Sequence, residues 1–261
     1  MEGAVTALLC RTSDRTGGGV RGAAALARAL GGARMIGSPG NPHDAAWEDD
    51  LRESRGCILE AGGQVDDALQ DGDFPLLMAG DCTVALTTLP AVVRHDPDAR
   101  ILWLDAHGDF NTPATTTSKF LGGMCLAGAC GRWDAGLGMD AIHAGHVVMC
   151  GARDLDGGER AELDLAGVVQ VERPSLVAEA IRDRSVYVHL DLDVLDPSVF
   201  PAQFPVDGGL SVTGLRTLLA EVAEAAEHII GLEVTAFEAP EDEDEADRLA
   251  EMLAGTIAPL L

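Results

Sequence analysis

The stretch Leu102–Asp109, LWLDAHGD, runs from apolar residues directly into three polar side chains that alternate with alanine and glycine. In an extended chain, residues i, i+2 and i+4 point the same way. Asp105, His107 and Asp109 are therefore predicted to line one face at the end of a buried strand. Two carboxylates and an imidazole suit Mn, Fe or Zn better than Ca or Mg. Taken alone, the stretch is equally compatible with a strand end whose acids simply meet solvent.

Apolar segments of strand length alternate with helical segments along the chain. Strands are predicted at residues 4–10, 35–36, 74–79, 101–104, 146–150, 185–190 and 229–237. Helices are predicted at residues 20–30, 48–69, 84–94, 121–131, 158–165, 212–228 and 243–257. This order predicts parallel βαβ units, and therefore an α/β fold with one doubly wound parallel sheet flanked by helices. No linker or repeat interrupts it, so residues 1–261 are interpreted as a single domain.

Acidic clusters close four of the predicted strands. The clusters are Asp81/Cys82, Asp105/His107/Asp109, Asp154/Asp156 and Asp191/Asp193. In open α/β sheets, ligands bind outside the carboxyl ends of the strands. Burying so many carboxylates together without cations would be very costly, because neighbouring like charges cannot all stay ionised. The four clusters together therefore favour a metal site over a solvated surface.

The composition limits the partners and the compartment. The chain carries 43 acids against 18 bases, a net charge of −25, which should repel nucleic acid and anionic membranes. No apolar run reaches the roughly 18 residues that a membrane span needs. The six cysteines form no CxxC pair, a pattern that favours free thiols in a reducing cytosol. The sequence therefore predicts a cytoplasmic protein that acts on a small molecule.

Two motifs resemble the ureohydrolases, the family of arginase and agmatinase. DAHGD at 105–109 matches the family's DAHxD, and HLDLDVLDP at 189–197 is matched to its SxDxDxxDP. The resemblance implies an arginase-like fold, a homo-oligomer and two Mn ions bridged by a hydroxide that attacks a guanidino carbon. It implies that Asp105 and Asp191 bridge both ions. Asp109, also placed in the catalytic set, would bind one ion, and His107 and Asp193 the other.

Two further segments resemble arginase segments that hold the amino acid end of the substrate. In NTPATTTS, residues 111–118, the resemblance assigns Asn111, Thr116 and Ser118 to the α-carboxylate. In GARDLDGGE, residues 151–159, it assigns Asp156 to the α-amino group, with Glu159 beside it. Together they imply an amino acid substrate such as L-arginine rather than a decarboxylated amine such as agmatine.

Three positions depart from the family pattern. Cys82 stands where the family's GGDHS places a histidine ligand, and a thiol is a softer ligand that would leave that site weak for Mn. Gly122 stands where the family's SGNLHGM places a histidine thought to protonate the leaving amine. The late Glu-x-x-Pro acid is one place out of register, so Glu238 is the candidate to face the guanidinium, with Glu233 behind it.

The first two departures favour a guanidine that needs less help from a proton donor. They resemble the branch of the family that serves antibiotic biosynthesis by splitting Nω-hydroxy-L-arginine into hydroxyurea and L-ornithine. Two alternatives remain. One is an ordinary arginase or guanidino-acid hydrolase that releases urea, using another proton donor. The other is a non-catalytic binding homologue that has lost a metal.

Overall fold

The computed structural model describes residues 3–261, and its centre is one sheet of eight parallel strands. The strands lie in the order β2-β1-β3-β8-β7-β4-β5-β6. Their bounds are β1 Gly3–Leu8, β2 Arg34–Ile36, β3 Phe74–Met78, β4 Arg100–Leu104, β5 Val147–Cys150, β6 Val169–Val171, β7 Ser185–Asp191 and β8 His228–Thr235. The order reverses direction twice along the chain, so strands distant in sequence become neighbours at the centre of the sheet.

Helices cover both faces of the sheet. Their bounds are α1 Gly18–Ala29, α2 Trp47–Asp71, α3 Ala85–His95, α4 Cys125–Ala129, α5 Gly157–Ala166, α6 Val177–Ala180, α7 Val212–Ala225 and α8 Glu243–Ile257. The alternation on β4 decides which face packs where. Leu102 and Leu104 join the core built with α1, α7 and α8, whereas Ile101 and Trp103 join the core built with α2, α3 and α4. A strand that is apolar on both faces must be central, which confirms the predicted doubly wound α/β fold.

The differences from the predicted elements are local. Helix α7 ends at Ala225, and His228 begins β8 instead of closing the helix. Strand β6 has three residues, two of them exposed, and so carries no apolar signal. The helix expected at 121–131 is a 3₁₀ turn, Gly122–Met124, followed by the short α4. Paired glycines at its start explain the shortening, because glycine disfavours the helix interior.

The prediction that all six cysteines are free thiols is wrong for one pair. Cys10, just beyond β1, forms a disulfide with Cys57 on α2. The two residues lie 47 positions apart without any motif, and it is the packing of α2 on this side of the sheet that brings them together. Cys82, Cys125, Cys130 and Cys150 remain free thiols. Within residues 3–261, no helix is long and apolar enough to cross a bilayer.

Candidate metal centre

The candidate site lies at the carboxyl ends of four adjacent central strands, β3, β8, β7 and β4. Cys82 follows β3, Asp105 follows β4, Asp191 ends β7 and Thr235 ends β8. The chain order of these strands is 3, 4, 7 and 8, whereas their order in the sheet is 3-8-7-4. The strand connections therefore bring polar residues that are distant in sequence to one edge of the sheet. The position of the acidic clusters at strand ends predicted this arrangement.

One half of the site is formed by Asp105, His107 and Asp193. Nδ1 of His107 lies 2.8 Å from Oδ2 of Asp193 and 3.5 Å from Oδ1 of Asp105. Burial opposes a charge on this imidazole, but hydrogen bonds and charges from the two acids raise the pKa of His107 to about 12. A protonated imidazole thus balances buried carboxylates at a place where a divalent ion would do the same.

The other half of the site contains the thiol of Cys82. Its Sγ donates to Oδ2 of Asp191 at 2.8 Å and lies 3.1 Å from Oγ1 of Thr235. Burial raises the pKa of Cys82 well above its ordinary value, and the carboxylates of Asp191 and Asp109 raise it further. Burial likewise raises the pKa of Asp109 and Asp191. Without an ion, burial therefore favours the protonated forms of these ligands.

An imidazole that the sequence interpretation overlooked lies against this thiol. His189 is fully buried, and its Nε2 is 3.2 Å from Sγ of Cys82. Its Nδ1 lies 2.6 Å from Oε1 of Glu233, whose other oxygen accepts from the hydroxyl of Tyr187 at 3.0 Å. The signal was present in the sequence: position 189 is the serine of the family's SxDxD motif. An imidazole nitrogen therefore lies beside the Cys82 thiol, supplied by β7, which is separated from β3 by β8.

Trp103 connects the two halves. Its ring stacks on the ring of His189, with centroids 3.5 Å apart and planes 1° from parallel. Its Nε1 donates to Oδ2 of Asp105 at 3.0 Å. The buried apolar residue of the opening stretch therefore also fixes the orientation of a candidate ligand.

The donor set fits a pair of divalent ions. Two groups of three side chains have ligand atoms within 4.8 Å of one another, and Asp105 belongs to both groups. The groups are Cys82/Asp105/His189 and Asp105/His107/Asp193. Thiol, imidazole and carboxylate ligands match the preferences of first-row transition ions. Asp109 reaches the site through a strained backbone with φ of 48°, which a non-glycine residue adopts only where its surroundings hold it there.

An open cavity leads from the solvent to these ligands. Asn111, Ser118, Asp156 and Glu159 line it together with His107 and the acids of both halves. Nδ2 of Asn111 donates to Oδ2 of Asp156 at 3.3 Å, so the residues predicted to hold the two ends of an amino acid are adjacent. The loop places Thr117, rather than Thr116, on the cavity wall. The Thr116 hydroxyl accepts instead from the backbone N–H of Lys119.

Glu159 lies deeper and has a structural role. Its Oε1 accepts from the N–H of Phe110 at 2.8 Å, and its Oε2 accepts from the N–H of Asp156 at 3.2 Å. The second bond closes the capping box at the start of α5. Burial raises the pKa of Glu159 to about 7.

The structure places Glu238 outside the cavity. Its carboxylate accepts from Oγ1 of Thr16 at 2.7 Å, beside the start of α1. Phe237, three residues before Pro240, packs on Phe200 in the core, and only Ala236 of this segment reaches the cavity. Glu233, the second candidate, is buried beneath His189 and does not line the cavity either.

The space for a side chain at position 122 is already filled. A Cβ atom built on Gly122 would lie 2.5 Å from Cε1 of Phe120, which is closer than real Cβ contacts allow. Phe120 stands where the SGNLHGM pattern has asparagine. Phe120 lines the cavity, and its ring fills the space that a side chain at position 122 would need.

Metal-free protein is expected to lose stability as pH rises from about 4 to about 7. Burial raises the pKa of Asp14 to about 7 and that of Asp193 to about 6, and it also raises those of Asp109 and Asp191. The folded state therefore keeps protons that the unfolded chain has released, so the free energy of unfolding falls across this window. Denaturant titration of chelator-treated protein at several pH values measures the slope.

The metal-loaded protein is the control for this slope. Ions require deprotonated ligands, so their stabilising effect grows with pH and should flatten or reverse the fall. His107 does not disturb the test, because its contribution is complete below its ordinary pKa of 6.5 and is lost only above it. A metal-free protein that becomes more stable across this window would contradict the expectation.

Comparison with known proteins agrees with this geometry. A model of the arginase family matches residues 43–258. The Nω-hydroxy-L-arginine amidinohydrolase of Streptomyces lavendulae is 34% identical over 258 residues, covering 95% of this chain and 93% of that protein. An arginase of Bacillus caldovelox is 35% identical over 180 residues, covering 62% of this chain and 60% of that protein. A solved structure of an arginase from Bacillus caldovelox superposes with a TM-score of 0.81 at 28% identity, covering 97% of each chain.

Proposed function

The chain belongs to the arginase family and is a hydrolase of linear amidines, and on that premise we propose that it cleaves Nω-hydroxy-L-arginine to hydroxyurea and L-ornithine. The observation that carries the choice of substrate is the packing of Phe120, which lines the cavity, into the space that a side chain at position 122 would need. The Streptomyces lavendulae relative, which aligns over nearly the whole chain, bears that substrate in its name.

We propose that two Mn²⁺ ions occupy the site. Asp105, His107 and Asp193 would hold one ion. Cys82 and its hydrogen-bond partner Asp191 would hold the other together with Asp109 of the cavity lining, and Asp105 and Asp191 would contribute to both. His189 and Asp105 also have ligand atoms close to the Cys82 sulfur. When bound, the ions supply positive charge and a water of lowered pKa opposite the guanidino carbon. The Cys82 thiol would make the second site the weaker one for Mn²⁺, because a sulfur ligand favours softer ions.

The amino acid end of the substrate would lie along the wall formed by Asn111, Ser118 and Asp156. Asp156 is a carboxylate within reach of an α-ammonium group, and Asn111 beside it orients that carboxylate through their hydrogen bond. The distance from this wall to the metal ligands is spanned by one continuous cavity, as an extended arginine-like side chain requires.

The choice between L-arginine and Nω-hydroxy-L-arginine depends on how much the leaving amine needs a proton donor. An amine that leaves a guanidine needs a proton, and a positioned general acid typically contributes about 10²- to 10⁴-fold to such a step. Phe120 fills the space beside Gly122, and the guanidinium of Arg15, which lies against the Phe120 ring, does not serve as a general acid. An N-hydroxylated guanidine is less basic and more open to attack, so it depends less on that acid.

We further propose a biosynthetic role in the cytoplasm. Hydroxyurea carries an N–O bond that nitrogen catabolism does not need, so its release points to a synthetic use. Cys82 must also stay a thiol to serve as a ligand, which favours a reducing compartment despite the single disulfide.

The test uses the whole chain, loaded with Mn²⁺ and freed of excess metal. Incubation with Nω-hydroxy-L-arginine should release L-ornithine and hydroxyurea in equal amounts, and chelator treatment should stop both. Metal analysis on the same sample should find more than one ion per chain. Fewer than one ion together with no product would favour a binding homologue, whereas urea release from L-arginine would favour an ordinary arginase.

A further inference from the structure

We propose that Arg15 binds the α-carboxylate of the substrate at the mouth of the cavity, with its guanidinium held against the rings of Phe120 and Phe204. The inference rests on the proposed amino acid substrate and adds to it a residue that determines specificity. None of the motifs in the sequence assigned a role to Arg15, which follows β1 by several residues.

The guanidinium of Arg15 lies against an aromatic pair. Its Cζ is 5.0 Å from the centroid of the Phe120 ring and 5.9 Å from that of Phe204. The two rings are themselves 4.7 Å apart. Such contacts attract a cation to the ring faces and orient its plane while leaving its N–H groups free to donate. All three side chains line the cavity.

Arg15 also touches the loop expected to hold the carboxylate. Its Nη2 lies 3.4 Å from the backbone oxygen of Ser118, a long contact at the edge of hydrogen-bonding distance. The Ser118 hydroxyl accepts from the N–H of Phe120, and the Asn111 amide is engaged with Asp156. The neutral polar groups of this wall thus already make hydrogen bonds within the protein. The guanidinium of Arg15 supplies further N–H donors beside them.

The charge of the cavity favours a cation beside an anionic group. Among the described residues that line the cavity, Arg15 is the one lysine or arginine. Seven carboxyl side chains line the same cavity: Asp81, Asp109, Asp154, Asp156, Glu159, Asp191 and Asp193. Bound ions would offset the inner acids, but Asp154 and Asp156 lie nearer the solvent. An α-carboxylate entering this field would be repelled unless a cation such as Arg15 met it.

The present partners of Arg15 leave it available. Its Nε is buried and makes no hydrogen bond, and its contact with Asp44 is an ion pair only. The carboxylate of Asp44 lies 3.3 Å away, but its side chain is 86% exposed. Because its Asp44 partner is exposed, this ion pair contributes little, whereas an Arg–carboxylate contact inside the mouth can be bidentate.

The aromatic part of the mouth is held by strained backbone. Phe204 has a φ of 51°, and Lys119, next to Phe120, has a φ of 53°. Large side chains rarely adopt this region, and they do so where the surrounding structure imposes it. Phe204 nevertheless leaves 40% of its surface exposed. The arrangement holds two aromatic rings around a cation at the cavity entrance. At this position the rings do not contribute to the hydrophobic core.

Binding of the product and of its decarboxylated form separates carboxylate recognition from a merely structural role. L-Ornithine and putrescine differ only by that carboxylate, and calorimetry on the Mn-loaded chain measures both without turnover. Arg15→Met should weaken the binding of L-ornithine by about 10- to 100-fold and the binding of putrescine by less than about 2-fold. Arg15→Lys keeps the positive charge but loses the planar pair of N–H donors. Its affinity for L-ornithine should lie between those of wild type and Arg15→Met. Arg132→Met is the matched control, since Arg132 pairs with Glu162 away from the cavity.

Steady-state kinetics should agree, with Arg15→Met raising the KM for Nω-hydroxy-L-arginine while kcat changes little. Equal weakening of both ligands would reduce Arg15 to a structural part of the mouth and overturn the proposal, as would unchanged L-ornithine binding. A wild-type chain that binds neither ligand, yet hydrolyses a guanidine without a carboxylate, would instead refute the proposed amino acid substrate.

Discussion

Asp109→Asn is expected to abolish turnover while making the metal-free protein more stable at neutral pH. Asp109 is buried, and burial together with the charge of Asp105 raises its pKa, so the carboxylate is costly when no ion is bound. Asparagine removes that charge, keeps the shape and tolerates the left-handed φ of 48°. Loss of a ligand should lower kcat by about 100-fold or more, because bound ions supply several kcal/mol to such reactions.

Two measurements on the same preparation test this opposition between stability and activity. Thermal unfolding of chelator-treated protein at neutral pH should show a higher Tm for Asp109→Asn than for wild type, and metal analysis should show fewer bound ions. Asp154→Asn is the matched control, because Asp154 lines the same cavity but is exposed, and no metal-binding role is proposed for it. An Asp109→Asn protein with full metal content and wild-type activity would remove Asp109 from the site.

The second large effect concerns the leaving-group side of the cavity. Gly122→His alone is expected to perturb the structure without activating L-arginine hydrolysis, because Phe120 occupies the space that the new side chain needs. Phe120→Asn with Gly122→His restores both residues of the family's pattern and opens that space. The double variant should raise kcat for L-arginine by about 10-fold or more, a modest share of what a positioned acid can contribute.

Phe120→Asn alone is the control for this pair, since it opens the space without adding a proton donor. It should leave L-arginine hydrolysis low, so that the gain of the double variant exceeds the sum of the single changes. The pH profile of the double variant should acquire a group titrating in the histidine range. A double variant no better than either single variant would show that the missing histidine does not set the substrate.

The local sequence pattern predicted which strand ends carry the candidate ligands. The alternation of Asp105, His107 and Asp109 predicted an extended chain with all three side chains on one face. In the structure β4 ends at Leu104 and Asp109 has a φ of 48°, so the chain turns there instead. The pairing of β4 with β7 then brings His107 to Asp193, 86 residues later. Strand-end position alone was enough here, because parallel strands present their carboxyl ends at one edge.

Long-range packing controls what the sequence did not predict. The contact between His189 and Cys82 depends on β3 and β7 both lying beside β8, and the contact with Glu233 depends on the register of β7 against β8. Thr117 rather than Thr116 lines the cavity because a loop has no fixed period. The disulfide between Cys10 and Cys57 likewise arises from helix–sheet packing without a sequence motif.

The most direct test of the proposed activity is the ratio of kcat/KM for Nω-hydroxy-L-arginine to that for L-arginine, measured by ornithine release from one Mn-loaded preparation. The absence of a proton donor beside Gly122 predicts a ratio of at least about 100, the lower end of what a general acid contributes. A ratio near one, or a preference for L-arginine, would contradict it.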